Sequence, residues 1–127
     1  MSNSEQSGAV FQPQWLSRDS AIPIEPFPGI SMWPIIGDRI MLNLVRLQPG
    51  ALLPDHFHPN EQAGTVVEGE LILTIAGKSR SLHSGDAYVI PPNIPHSGQA
   101  GPGGCDVIDV FSPPRDDYRV AGHEQPW

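Results

Sequence analysis

Short stretches of alternating hydrophobic and polar residues run through the middle of the chain and predict strands rather than helices. The clearest stretch is residues 39–48, where Ile40, Leu42 and Leu44 alternate with other side chains until Pro49 and Gly50 end the segment. Further strands are predicted at residues 65–68, 70–76, 79–82, 87–90 and 106–111, with a hairpin turn at Gly77 and Lys78. No segment of useful length has helical periodicity, so the pattern predicts an all-β fold, a sandwich or a barrel.

The two ends of the chain differ from this middle part. Four prolines lie between residues 22 and 34, and they predict that any strand there is short and lies at a sheet edge. We expect three parts: an N-terminal arm at residues 1–20, one β-barrel domain at residues 21–112, and a C-terminal tail at residues 113–127 that packs along the outside.

Composition and charge narrow the functional classes. The 127 residues carry a net charge of −7, which argues against nucleic acid or an anionic membrane surface as a partner. The single cysteine, Cys105, cannot form an internal disulfide, and the first residues show no basic or apolar leader, so we expect a cytoplasmic protein. No stretch approaches the roughly 20 apolar residues that a membrane span needs. A small molecule is the expected partner.

Three of the five histidines lie in two motifs with defined spacing. The motifs read Gly50-x5-His56-x-His58-x3-Gln62-x6-Gly69 and Gly85-x5-Pro91-x-Asn93-x2-His96. On a strand, His56 and His58 would point to the same face, where both imidazoles can hold one metal ion. Gln62 and His96 would complete the site. His83 and His123 lie outside both motifs, and we expect neither to be a ligand.

Both spacings resemble the motifs of the cupin superfamily, G-x5-H-x-H-x3,4-E-x6-G and G-x5-P-x-G-x2-H-x3-N. The resemblance implies a double-stranded β-helix, the jelly-roll barrel, with one divalent metal bound by His56, His58, Gln62 and His96. The chain departs from the pattern at three positions, where Gln62 replaces Glu, Asn93 replaces Gly and Ala100 replaces Asn. Asn93 can adopt the left-handed conformation that the glycine supplies.

The fourth ligand could be Gln62 or the adjacent Glu61, which is the more usual ligand type. The cupin spacing selects Gln62, and one step along a strand turns a side chain to the opposite face. Three imidazoles and an amide leave the charge of a divalent cation uncompensated, which favours anionic substrates and Lewis-acid chemistry over redox chemistry. Such ligands suit Zn²⁺, Ni²⁺, Fe²⁺ and Mn²⁺ alike.

A second, narrower resemblance covers residues 56–73 and 109–118, which are similar to the small pectin-degradation cupins that linearise unsaturated uronates. It implies an isomerase- or lyase-type enzyme in which Asp109 moves a proton, Arg115 pairs with the substrate carboxylate and Phe111 packs against the sugar. Alternatively, Asp109 caps a turn and Arg115 forms a surface ion pair. The pocket interpretation is favoured because an acidic residue in an apolar strand is costly without a purpose.

Two other functions fit the same motifs. Three histidines and a side-chain oxygen would also serve an iron-dependent dioxygenase, and a non-catalytic sugar-binding or sensor cupin would bind its ligand without turnover. Cupins also commonly pair through edge strands, so the Pro-rich strand near the N-terminus is expected to contribute to a homodimer.

Overall fold

The computed structural model describes residues 11–118, which fold into eight strands and one short 3₁₀ helix. The strands are β1 (Ile24–Phe27), β2 (Ile30–Ile36), β3 (Met41–Leu47), β4 (Leu52–His56), β5 (Glu61–Ile75), β6 (Lys78–His83), β7 (Ala87–Ile90) and β8 (His96–Ser112), and the 3₁₀ helix is Asp116–Tyr118. All strand pairs are antiparallel. Within this part of the chain, no helix is long and apolar enough to cross a membrane.

The two longest strands, β5 and β8, run through both layers of the fold. The first half of β5 pairs with β7 and with the second half of β8, whereas its second half pairs with β6 and the first half of β8. Strands β3, β2 and β1 extend the first layer in that order, and β4 extends the second layer beside β8. The result is a jelly-roll barrel, which confirms the all-β prediction.

A pair of glycines marks the corner between the layers. Gly69 and Gly104 both have positive φ angles, of 77° to 85°, and the β5–β8 register shifts on either side of Gly69. A Cβ atom on Gly69 would lie only 2.2 Å from the carbonyl oxygen of Gly104, so no larger residue fits without a shift of the backbone. The two strands predicted on either side of Gly69 are therefore one bent strand.

The barrel interior is lined by alternate residues of each strand. In β3 the buried side chains are Met41, Asn43, Val45 and Leu47, and the intervening residues face outward. The core is completed by residues of β2, β5 and β8, among them Ile30, Val66, Leu71, Val107 and Phe111. Asn43 is the buried polar residue of β3 and brings a polar group into this largely apolar core.

The prediction of an edge strand near the N-terminus is wrong for β2, which lies between β1 and β3. Strand β1 pairs with β2 only at Ile30 and Met32, so no residue of β1 lies opposite Pro34. Pro34 therefore has a strand partner on one side only, in β3. The loss of one ladder N–H is therefore not costly at this position. Strand β1 itself is short and ends the order of strands, as predicted.

Two further expectations need correction. The hairpin turn lies at Ala76 and Gly77 rather than one residue later, because both have positive φ (51° and 80°), as a type I′ turn requires. Strand β8 begins at His96, although residues 97–104 are rich in glycine. Pairing with β4 on one side and β5 on the other supplies the order that these residues lack intrinsically.

The described parts of both terminal segments pack against the barrel. The Gln14 side chain donates a hydrogen bond to the Ile36 carbonyl (2.7 Å), so the arm follows β2. At the other end, Arg115 and Tyr118 are buried rather than packed along the outside, and Asn60 holds this segment by donating to the Pro113 carbonyl (2.7 Å). The outer parts of the arm and tail, residues 1–10 and 119–127, lie outside the described residues, and the three-part division stays a prediction.

Candidate metal centre and pocket

Three histidines converge at one end of the barrel. Ligand-capable nitrogens of His56, His58 and His96 all lie within 4.8 Å of one another. His56 is the last residue of β4 and pairs in register with His96, the first residue of β8. His58 lies just past β4 rather than on it, but its carbonyl accepts a hydrogen bond from the Asn93 backbone N–H (2.8 Å), which joins the two sequence motifs. Asn93 has the left-handed φ of 64°, as predicted.

Backbone carbonyls orient all three imidazole rings. The Nδ1 atoms of His56, His58 and His96 lie 2.8, 3.1 and 2.8 Å from carbonyl oxygens two residues away. A carbonyl only accepts, so each Nδ1 carries the proton and each Nε2 presents a lone pair. Tethering of one ring nitrogen in this way is typical of metal-binding histidines.

The unused nitrogens fit a metal ion. His96 Nε2 is buried and has no hydrogen-bond partner among the described residues, a costly arrangement unless a ligand satisfies it. Burial, with the nearby Arg115 charge, lowers the pKa of His58 to about 4, and burial also lowers the pKa of His96. Both rings are therefore neutral at neutral pH, the form that binds metal.

Gln62 faces this cluster, as the register argument predicted, and Glu61 faces outward. The Gln62 side chain is 6% exposed, and its Oε1 lies 3.2 Å from His58 Nε2. Its amide is also hydrogen-bonded to the Asp109 carboxyl group, which orients the N–H₂ end toward Asp109 and the carbonyl end toward the histidines. Two electron-pair donors therefore face each other, an arrangement that a cation between them would stabilise.

Asp109 lies on β8 inside the barrel and is held by two donors. The Tyr88 hydroxyl donates to its Oδ1 at 2.6 Å, and Gln62 provides the second hydrogen bond. Burial raises the pKa of Asp109 to about 6, against the opposite effect of both hydrogen bonds and the Arg115 charge. The carboxyl group can therefore both release and accept a proton near neutral pH. Asp109 does not cap a turn.

Gly64 makes the contact between Tyr88 and Asp109 possible. It lies on β5 between them, paired in register with both. A Cβ atom at this position would lie 2.3 Å from Asp109 Oδ1 and 2.4 Å from the Tyr88 hydroxyl. Sequence reasoning missed Tyr88 and Gly64. The only available signal was a glycine inside a strand, which often marks a close approach of other atoms.

Arg115 combines the two interpretations made from the sequence. It forms an ion pair, since its Nε donates to Asp117 at 3.0 Å and its Nη2 donates to the same carboxylate. The side chain is nevertheless buried, at 8% exposure, and its guanidinium carbon lies 4.1 Å from the Tyr118 ring centroid and 5.3 Å from that of Phe111. It is therefore a cation inside the pocket and not a surface group.

These groups line one cavity, whose empty space is about 540 Å³ when the open solvent at its mouth is included. Its polar lining includes Asn43, His56, Gln62, His96, Asp109 and Arg115, and aliphatic side chains and Phe111 provide most of the remaining wall. His83 does not line this cavity and is an exposed residue beside Glu70. His123 lies outside the described residues.

The cupin domain family matches residues 43–111, more than half of the chain, and the chain therefore belongs to the cupin family. The pectin degradation protein KdgF of Dickeya dadantii (strain 3937) is 34% identical over 82 residues, which cover 64% of this chain and 74% of KdgF. The structure of KdgF from Halomonas sp. superposes with a TM-score of 0.78 and 30% identity, covering 84% of this chain and 98% of that one. The resemblance to pectin-degradation cupins is confirmed.

A different relative matches only about half of the chain. The HTH-type transcriptional regulator PuuR of Escherichia coli (strain K12) is 40% identical over 68 residues, which cover 52% of this chain. The match spans only 37% of PuuR's own length.

Together with the family assignment, the His56, His58 and His96 cluster defines a metal-dependent cupin centre suited to one divalent metal.

Proposed function

We propose that this cupin opens the ring of a 4,5-unsaturated uronate to its linear keto form, an isomerisation without redox change. The observation that carries the proposal is the position of Asp109 and Arg115, a proton-transfer group and a buried cation, in one cavity with His56 and His96 of the three-histidine cluster. The similarity to KdgF, a pectin degradation protein, supports a uronate as the substrate class.

The donor set supports one choice of metal ligands. Nε2 of His56, His58 and His96 and Oε1 of Gln62 would hold one divalent metal, since each ring presents a lone pair at Nε2 and His96 Nε2 has no hydrogen-bond partner among the described residues. When bound, such a metal supplies Lewis acidity toward the oxygens of an anionic substrate.

Arg115 is the proposed partner of the substrate carboxylate. Its Nε and Nη2 edge is paired with Asp117, which leaves the Nη1 and Nη2 edge for a second carboxylate. This second edge points in a different direction from the edge paired with Asp117, so Arg115 can bind both carboxylates at the same time. Phe111, which packs against the guanidinium and is 2% exposed, would form the apolar wall next to the sugar ring.

Asp109 is the proposed proton carrier. It removes the proton of the anomeric hydroxyl, the C1–O5 bond breaks with its electron pair going to O5, and C1 becomes the aldehyde carbon. The resulting enolate takes a proton at C4 from the Asp109 carboxylic acid, which yields the 5-keto acid and restores the carboxylate. Atoms and electrons balance without any co-reactant, and a pKa of about 6 suits both transfers.

Metal analysis followed by a turnover assay tests this proposal. The purified protein should contain about one divalent metal per chain and should consume an unsaturated uronate, measured as loss of the conjugated double-bond absorbance. His58→Ala should lose most of the metal and the activity, whereas the matched change His83→Ala should retain both. A metal-loaded parent that leaves unsaturated uronates unchanged would refute the proposed reaction. Oxygen uptake by the Fe²⁺-loaded protein would instead indicate a dioxygenase.

The similarity to PuuR favours a second candidate, a cupin that senses a small anionic ligand without converting it. The same cavity would then bind the ligand at the metal and Arg115, with no role for Asp109 as a proton carrier. Calorimetry and product analysis on one sample separate the two functions: binding with no product over hours supports a sensor, and product formation supports the enzyme.

A further inference from the structure

One row of side chains crosses the first layer of the barrel on its inner face. In register, Asn43 on β3 pairs with Asp109 on β8, Asp109 pairs with Gly64 on β5, and Gly64 pairs with Tyr88 on β7. The reaction proposed above uses Asp109, which Tyr88 positions, but it gives no role to Asn43 at the other end of the row.

Asn43 is buried in an unusual state. Its side chain belongs to the cavity wall and the residue is 1% exposed. Its Nδ2 donates to Met32 Sδ at 3.3 Å, whereas Oδ1 has no hydrogen-bond partner among the described residues. Sulfur can only accept here, so the amide N–H₂ faces Met32 and the carbonyl oxygen is left unsatisfied. An unsatisfied buried acceptor destabilises the fold, which calls for a compensating role.

The position of Asn43 relative to the metal centre matches a sugar-sized ligand. Gln62 pairs in register with Phe111, two residues along β8 from Asp109, the partner of Asn43. Two residues of a strand span about 7 Å, so the Asn43 row lies about 7 Å deeper in the barrel than the row that contains Gln62. A six-membered ring with its substituents can bridge these two rows.

Neighbouring groups decide which chemistry Asn43 recognises. Asp109 already accepts hydrogen bonds from Tyr88 and Gln62, so it adds another acceptor beside Asn43 Oδ1 and no competing donor. A ligand carbonyl or ether oxygen would face these acceptors unfavourably, whereas a hydroxyl group can donate to them. These acceptors therefore favour a ligand group that can donate a hydrogen bond, such as a hydroxyl.

We propose that Asn43 is a specificity-determining residue whose Oδ1 accepts a hydrogen bond from one ring hydroxyl of the sugar acid held at the metal centre and Arg115. This inference rests on the proposed function, since it assumes a uronate in the cavity. It adds a recognition point that the two histidine motifs and the Asp109, Phe111 and Arg115 set do not include.

Calorimetry with a saturated hexuronate tests the proposal, because such a ligand carries the hydroxyls and the carboxylate but lacks the reactive double bond. D-galacturonate and its 2-deoxy and 3-deoxy analogues are titrated into the metal-loaded parent and into Asn43→Leu, which keeps the branched shape of the side chain and removes the acceptor. The parent should prefer D-galacturonate over one of the analogues by about 5- to 10-fold, the value of one hydrogen bond. In Asn43→Leu this preference should fall to about 1-fold, with the metal content unchanged.

Val45→Ala is the matched control, since Val45 lies on the same strand and lines the same cavity without any hydrogen-bonding group. Val45→Ala should weaken the binding of all three ligands by the same factor, so the preference for D-galacturonate should remain. Asn43→Ala repeats the test if the Leu variant fails to fold. A variant that binds D-galacturonate with the parent's full preference overturns the role of Asn43 alone. A metal-loaded parent that binds no hexuronate also overturns this inference, whereas the proposed function fails only if the metal-loaded parent leaves unsaturated uronates unchanged.

Discussion

Gln62 occupies the position at which a carboxylate would change both the charge of the metal centre and the environment of Asp109. In the structure its amide links the two, with Oε1 toward the histidines and the other end hydrogen-bonded to Asp109. A glutamate cannot donate to Asp109 unless it is protonated, so it would remove one hydrogen bond and add a negative charge. The amide therefore preserves the Lewis acidity of a bound metal and limits the rise in the pKa of Asp109.

We predict that Gln62→Glu retains the metal but loses most of the turnover. The added carboxylate is a good metal ligand, yet it weakens Lewis acidity, repels an anionic substrate and perturbs Asp109. Metal content by mass spectrometry and kcat on the unsaturated uronate check this outcome. Glu61→Gln changes the adjacent outward-facing residue and should leave both values at the parent level. The ligand assignment fails if Gln62→Ala keeps the metal while Glu61→Ala loses it.

The raised pKa of Asp109 predicts a pH-dependent effect on stability. The folded protein keeps this carboxyl group protonated up to a pH of about 6, whereas the unfolded chain releases the proton near its ordinary value of 3.8. Ionising Asp109 therefore destabilises the fold progressively between these two pH values, and the full cost is present above pH 6. Asn at this position cannot ionise and avoids the cost.

Urea denaturation of the metal-free proteins should show Asp109→Asn gaining stability relative to the parent as the pH rises from 4 to 7, by on the order of 1–3 kcal/mol. His58, with its pKa lowered to about 4, has the opposite dependence in this range, because its contribution is lost as the pH falls. It is common to both proteins and cancels in their difference. A difference in stability that does not vary with pH would contradict the burial of an ionisable Asp109.

At the scale of elements, the bend in β5 and β8 sets the shape of the barrel. The bend brings the second half of each strand into the opposite layer, so the same two strands contribute Gln62, His96 and Asp109 to one cavity. Its geometry depends on Gly69, where both the positive φ and the contact with Gly104 exclude a side chain.

Gly69→Ala should therefore destabilise the fold by more than Gly85→Ala. Both glycines have positive φ, 85° and 92°, so the conformational penalty for alanine is similar at the two sites. A Cβ atom at Gly85 meets no atom within 4 Å, whereas at Gly69 it meets the Gly104 carbonyl oxygen at 2.2 Å. We expect an additional loss of about 1–3 kcal/mol for Gly69→Ala in urea unfolding. Equal losses would show that the close contact relaxes without cost.

The sequence was sufficient for those features that depend on local pattern. Alternation located β3 and β7, and motif spacing identified His56, His58, Gln62 and His96 as one group. Features that depend on neighbouring strands could not be obtained in this way: the first half of β8 is ordered by β4 and β5. The Asn43 row is likewise a product of cross-strand register, which no local pattern contains.

At the scale of the whole molecule, the histidine centre fastens together parts of the chain that are distant in sequence. His56 ends β4, Gln62 lies near the start of β5 and His96 begins β8, so a bound metal would join three strands at one end of the barrel. β1 lies at the end of the strand order, and the homodimer through this strand remains a prediction, to be tested by analytical ultracentrifugation.

Metal binding should therefore stabilise the entire domain. The metal-free fold retains its apolar core, formed by residues such as Ile30, Met41 and Val66, and should remain folded. A metal at about 100 times its dissociation constant adds about 2.7 kcal/mol, because it binds the folded state alone. For a domain of this size we expect Tm to rise by about 10 °C, measured by calorimetry with Zn²⁺, Ni²⁺, Fe²⁺ and Mn²⁺ in turn.

His96→Ala should abolish this increase in Tm, since it removes the deepest of the three imidazoles, one that is 2% exposed in the folded protein. His83→Ala, a change at an exposed histidine on β6, should show the parent's increase and so controls for metal bound at the surface. A chelator should reverse the shift in the parent, because the metal-free fold is stable by itself. If His96→Ala responds to metal as the parent does, the stabilising ion binds elsewhere, and the three-histidine cluster is not the metal centre of this cupin.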